Sequence, residues 1–194
     1  MKADVTALVL AGGKSSRMGR DKMTLTLSGR TMLERACAFG ASLGIPVLVA
    51  CGDPEHFAHL PDGARAVPDD APGCGPLGGL CAGLGAMETE FALVWAADMP
   101  FLSAAAAERL RIAIGDADAC AYVLDGRPEP LLALYRRSCL APARERLLRG
   151  ELRLRGLLHE VKLVTLTPDD PALFVNLNTP AEFEQARRQV EGHE

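Results

Sequence analysis

Val5-Thr6-Ala7-Leu8-Val9-Leu10 is a short, nearly continuous apolar run, the pattern of a strand buried on both faces. About twenty residues rich in Gly, Ser and charge follow it. Thr31-Met32-Leu33-Glu34 then opens a helix as a capping box, with Met32, Ala36, Phe39 and Leu43 as its apolar stripe and Gly44 as its stop. Pro46 to Cys51 reads as a second buried strand and Arg65-Ala66-Val67 as a short third. Gly78 to Met87 is a Gly/Ala-rich helix whose small residues let its backbone approach a neighbour closely. Phe91 to Ala96 is the clearest strand; it ends at Ala97-Asp98-Met99-Pro100, and Ser103 caps an alanine-rich helix through Ile114. Further strands are predicted near Ala119–Leu124, Leu131–Tyr135 and Val161–Leu166. Helices are predicted at Leu140–Leu148 and, from the Thr179-Pro180-Ala181-Glu182 capping box, at Pro180–Val190.

Strand and helix alternate through the first half, which predicts a mostly parallel, three-layer α/β sheet. The strand pair around residues 119–135 breaks the alternation and predicts an antiparallel insertion or a sheet edge. With no internal repeat, low-complexity tract or linker, residues 1–194 read as one domain, and a chain of this length buries roughly 70% of its unfolded surface.

Composition narrows the function. The net charge of −4 lacks the basic excess that nucleic-acid binding requires, and no apolar run approaches the ~20 residues of a membrane helix, so neither partner is expected. Met1-Lys2-Ala3-Asp4-Val5 leads straight into a strand with no signal-peptide pattern, so the expected location is the cytoplasm. The six cysteines include no C-x-x-C pair and sit mostly among small apolar neighbours, where Cys acts as a small hydrophobe. The basic stretch Arg144–Arg155 is a candidate contact surface, with a solvated helix face as the alternative.

In an open α/β sheet, ligands bind beyond the carboxyl ends of the strands. Three segments of this chain stand there. Leu10-Ala11-Gly12-Gly13-Lys14-Ser15-Ser16-Arg17-Met18-Gly19-Arg20-Asp21-Lys22 follows the first strand and couples two adjacent glycines to four cations within nine residues. Glycine lets backbone N–H groups turn toward a phosphate, and Arg17 and Lys22 supply positive charge, so the segment predicts a phosphate site. It is neither a Walker A loop, whose first glycine would fall at Leu8, nor a G-x-G-x-x-G loop. The second segment, Val67 to Gly79, is dense in Gly and Pro, and its Asp69 or Asp70 could face a ligand or cap a turn. The third is Asp98, a carboxylate at the end of the strongest strand, which could hold Mg²⁺ or could bond only the following turn. Arg127, in the Gly126–Leu131 stretch read as a rigid turn, is a candidate for a second anionic substrate, with a plain exposed hairpin loop as the alternative.

Together, L-A-G-G-K-S-S-R-M-G-R-D-K, G-P-L-G-G, A-A-D-M-P-F and F-V-N-L-N-T-P-A-E-F resemble the molybdenum cofactor guanylyltransferases (MobA-type), from about residue 5 to residue 188. The resemblance implies a Rossmann-like nucleotidyltransferase fold, with an N-terminal half that binds GTP and a C-terminal half that binds the acceptor. It implies that Leu10, Ala11, Gly12 and Gly13 contact GTP, with Arg17 and Lys22 on its phosphates. Asp69 would meet the nucleoside, Asp98 would hold Mg²⁺, and Asn176 and Asn178 would lie near the pterin. Gly12, where cytidylyl-transferring relatives usually carry alanine, points with N-x-N-T-P to the guanylyl branch. One departure is Ala50, where the family often has a polar residue such as Asn.

The implied reaction joins a molybdopterin-type phosphate to GTP, giving a dinucleotide cofactor and pyrophosphate. A phosphate monoester is largely ionised at pH 7 and needs no strong base, which suits a chain whose His56, His59, His159 and His193 lie outside every motif. The family also implies transient contact with molybdenum-insertion proteins and molybdoenzymes. The rivals are a CTP-dependent pterin cytidylyltransferase, a sugar-phosphate nucleotidyltransferase, and a non-catalytic accessory protein that binds GTP or pterin.

Overall fold

The computed structural model describes residues 4–12, 25–51, 60–68, 73–177 and 180–191. Its centre is a seven-stranded sheet of β1 (Val5–Leu10), β4 (Val47–Cys51), β5 (Ala64–Pro68), β6 (Phe91–Ala96), β7 (Ala119–Leu124), β8 (Arg127–Arg136) and β9 (Leu163–Leu166), in the order β5-β4-β1-β6-β8-β7-β9. Strands β5, β4, β1 and β6 are mutually parallel, with Leu10 level with both Ala50 and Ala96. Only β8 runs against its neighbours β6 and β7, while β7 and β9 are parallel. The expected break in the alternation is therefore an antiparallel strand set inside the sheet rather than at its edge.

Every residue of β1, β4 and β6 is buried, as the apolar runs require of strands covered on both faces. Alternate side chains feed two cores. Ala7, Val9, Val49, Leu93 and Trp95 pack with α1 (Met32–Ser42) and α3 (Ala104–Ala113). Leu8, Leu10, Leu48 and Val94 pack with α2 (Gly75–Ala86), α4 (Leu140–Leu148) and α5 (Leu154–Leu157). Helix α1 starts on the expected capping box: the Glu34 N–H donates to Thr31 Oγ1, and Glu34 Oε2 accepts from the Thr31 N–H at 2.7 Å.

Helix α2 rests on β1 and β4 through its glycines. A Cβ on Gly79 would stand 3.1 Å from Leu10 Cδ2 and 3.3 Å from the Ala50 methyl, and one on Gly83 would overlap the Leu8 side chain. The small residues thus let the helix backbone sit directly on the strands. They also explain why Ala50 is small: it is buried beneath α2 at Gly79.

The Arg144–Arg155 stretch is largely bound internally. Arg146 is buried and paired with Glu151 (2.9 Å) and Glu160, Arg149 pairs with Glu151 and Glu160, and Arg155 donates to the Pro128 carbonyl. The Arg146 guanidinium occupies the space that a Cβ on Gly156 would need. Five of the cysteines are buried and all are free thiols; burial pushes Cys37 and Cys120 up to about 11 and Cys139 up to about 12, so these three stay protonated. Among the described residues, no helix is long and apolar enough to cross a membrane.

A third, smaller core joins distant parts of the chain. Strands β2 (Thr26–Leu27) and β3 (Arg30–Thr31) form a hairpin whose Leu27 packs with Met32, Leu177 and Ala186, with Leu25, Phe101 and Phe183 around them. Phe183 and Ala186 belong to α6 (Pro180–Glu191), the helix expected from the last capping box. Leu25, Phe101 and Leu177 lie three, three and one residues after the candidate residues Lys22, Asp98 and Asn176. One apolar cluster therefore gathers a residue that follows each of these three in sequence.

Two outcomes follow. Gly83→Ala sets overpacking of about 1–3 kcal/mol against a helix-propensity gain of about 1 kcal/mol, so the variant melts lower, by about 2–4 °C for each net kcal/mol. A thermal melt that rises instead would show slack between α2 and β1. Phe183→Ala opens the third core alone. Amide exchange quickens at Met32 and Leu177, whose N–H groups bond the Leu25 and Asp98 carbonyls, while the β1 amides keep their protection.

Candidate functional site at the carboxyl rim of the sheet

Because β1, β4, β5 and β6 are parallel, their carboxyl ends open on one rim. The ladder continues one residue past the strands: the Ala11 N–H donates to the Ala50 carbonyl at 2.9 Å, and the Ala97 N–H to the Leu10 carbonyl at 3.1 Å. With Leu10 level with Ala96, the segments Ala11–Gly12 and Ala97–Asp98 leave the sheet side by side. Leu10 and Ala11 are buried, Gly12 is exposed and Asp98 is half-buried. Two of the three expected segments thus meet at one place.

Asn176 joins them from the far end of the sequence. The Leu177 N–H donates to the Asp98 carbonyl at 3.2 Å, which sets the half-buried Asn176 next to the turn that follows β6. The approach is prepared by a 3₁₀ turn at Pro171–Phe174 that buries Leu173 and Phe174, with the Phe174 ring edge-on to Tyr122 at 5.6 Å. Asp170 caps this turn by accepting from the Ala172 N–H.

Arg127 is placed differently from the sequence reading. The rigid turn expected over Gly126–Leu131 is confined to Asp125 and Gly126, both at positive φ (50° and 73°), the two-residue turn favoured between antiparallel strands. Arg127 is the exposed first residue of β8, level with Leu124. The Asp-Gly pair carried this signal, and the prolines at 128 and 130 obscured it, because proline argues against a strand interior. Here Pro128 and Pro130 lie on the part of β8 that has passed the last residue paired with β6, where no ladder donor toward β6 is needed.

Gly13, Arg17, Lys22, Asp69, Asp70 and Asn178 lie outside the described residues. The rim carries oxygen donors of the hard kind, the Asp98 carboxylate and the Asn176 amide, and among the described residues no group of three His, Cys, Asp or Glu could cage a metal alone. That set suits a divalent cation that takes one carboxylate and completes its shell with substrate phosphate and water.

Similarities to known proteins agree with this fold. The family model of the MobA-like NTP transferase domain matches residues 7–165. A protein of Chloroflexus aggregans named a probable molybdenum cofactor guanylyltransferase is 41% identical, covering 91% of this chain and 90% of its own. A protein of the same name from Natranaerobius thermophilus is 31% identical, covering 98% of each. In fold, the crystal structure of molybdopterin-guanine dinucleotide biosynthesis protein A from Archaeoglobus fulgidus superposes with a TM-score of 0.83 at 24% identity, over 96% of this chain and 99% of that one. With its mostly parallel sheet and these similarities, this chain belongs to the family of MobA-like nucleotidyltransferases.

Proposed function

We propose that this enzyme transfers GMP from GTP to the phosphate of a molybdenum–molybdopterin cofactor, forming the guanine dinucleotide and releasing pyrophosphate. The observation that carries the reading is the meeting of Leu10–Gly12, Asp98 and Asn176 at one rim, in a chain similar end to end to proteins named probable molybdenum cofactor guanylyltransferases. A single domain does both jobs. The N-terminal half takes the nucleotide on residues 10–13 with Asp69, and the C-terminal half takes the acceptor on Arg127, Asn176 and Asn178. The protein works in the cytoplasm, where it receives the pterin from molybdenum-insertion proteins and passes the product to molybdoenzymes.

The chemistry asks little of side chains as bases. An acceptor phosphate oxygen bonds to the α-phosphorus of GTP, the bond from that phosphorus to the bridging oxygen breaks, and pyrophosphate leaves with the electron pair. The nucleophile is already ionised, and His159, the histidine within the described residues, is exposed beyond α5. What remains is to hold two anions together and stabilise charge on the α-phosphate and the leaving group, the work of Arg17 and Lys22. Asp98 holds Mg²⁺, which when bound neutralises phosphate charge.

Removing one such charge-stabilising group costs about 2.7–4 kcal/mol, or 10²–10³ in rate. Lys22→Ala and Asp98→Ala should each lose at least that much GMP transfer, measured as pyrophosphate release with GTP, Mg²⁺ and the pterin, while keeping the wild-type melting curve. Wild-type turnover in either variant refutes the site. A panel of GTP, CTP, ATP and UTP tests the base, and GTP binding with no pyrophosphate release would return the accessory-protein reading.

A further inference from the structure

The sheet order sets β6, and so Asp98, between β1 on one side and β8 on the other. The β1 side carries Ala11–Gly12. On the other side, β8 pairs with β6 as far as Leu132 opposite Trp95, and the residues before Leu132 run past the end of β6 toward Ala97 and Asp98. There the strand bulges. Ala121 is level with Ala133 but Tyr122 with Glu129, so Pro130, Leu131 and Leu132 have no counterpart on β7. A bulge of this size redirects the chain beyond it.

Side chains supply the bonds that the ladder gives up. Glu129 Oε1 accepts from the Leu131 N–H at 3.1 Å, and the buried Tyr135 hydroxyl donates to the Pro130 carbonyl at 3.0 Å. The outside brace comes from α5: Arg155 donates through Nε to the Pro128 carbonyl at 2.9 Å and through a terminal nitrogen to Glu129 Oε2 at 3.4 Å. The Glu129 side chain is only 19% exposed, so its carboxylate is committed to these bonds.

We propose that Arg155 and Glu129 are positioning residues for the acceptor, holding the 127–131 arm of β8 at the rim beside Asp98 so that its exposed cation, Arg127, meets the acceptor phosphate. This rests on the transfer reaction proposed above and deepens it, because the arm lies across Asp98 from the nucleotide segment. Loss of the brace then weakens acceptor use and leaves GTP binding intact.

The test is steady-state GMP transfer with acceptor and GTP varied separately, plus calorimetric GTP binding and a thermal melt. Arg155→Ala and Glu129→Ala should each raise KM for the pterin acceptor at least about tenfold, the effect of one lost charged hydrogen bond, with KM and Kd for GTP within about twofold. Glu129→Gln should stay within about threefold of wild type, since its amide oxygen still accepts from the Leu131 N–H. Unchanged acceptor KM in both alanine variants overturns the brace, as does an equal loss toward GTP, which marks a merely structural role. Wild-type protein that transfers no GMP overturns the reaction and the brace together.

Discussion

Two backbone hydrogen bonds, from Ala11 to the Ala50 carbonyl and from Ala97 to the Leu10 carbonyl, carry the parallel pairing of β4, β1 and β6 one residue beyond the strands. The rest of the site depends on that register. Parallel strands release their chains on the same side, so a glycine segment and a carboxylate more than eighty residues apart emerge together. Had β1 and β6 paired antiparallel, Gly12 and Asp98 would stand at opposite ends of a six-residue strand, roughly 20 Å apart. Burial on both faces holds the register, because a one-residue slip of β1 would exchange Leu8 and Leu10 with Ala7 and Val9 between two filled cores.

The same packing governs which rim residues can vary. A Cβ on Gly79 would already stand 3.3 Å from the Ala50 methyl, so a larger polar residue at position 50 would need α2 to lift away from β4. Close helix packing therefore fixes the small side chain at that position. The third core acts in a complementary way. By gathering the residues that follow three candidate segments, it ties the C-terminal helix to the rim through Leu177 and lets distant parts of the sequence share one geometry.

Much of this was legible in the residues. Continuous apolar runs marked β1, β4 and β6, the Thr31–Glu34 box marked the start of α1, and the Gly/Ala composition of α2 announced its close approach to a neighbour. Asp98 was identifiable as a rim carboxylate because it follows the strongest strand. Less legible were features made by pairs distant in sequence. The bulge at 130–132 depends on Tyr135, Glu129 and Arg155, and local periodicity shows none of these contacts. Arg146 and Arg149 read as part of a basic stretch because one shared partner, Glu160, lies beyond α5, and only folding brings it back to them beside the nearby Glu151. Proline at 128 and 130 hid the first third of β8 for a sound local reason that the end of β6 removes.

The single reversed strand gives the rim its second wall. Since β8 opposes both β6 and β7, β7 points the same way as β6, and the Asp125–Gly126 hairpin projects from the edge that carries Asp98. An all-parallel sheet would need a crossover helix to return the chain there; the reversal does it with two residues at positive φ. A parallel half joined to a reversed strand at β6 offers two unlike approaches to Asp98. On the β1 side the chain leaves through the exposed Gly12. On the β8 side it is stiffened by proline, bulged and braced by Glu129 and Arg155, which makes that wall of the rim rigid.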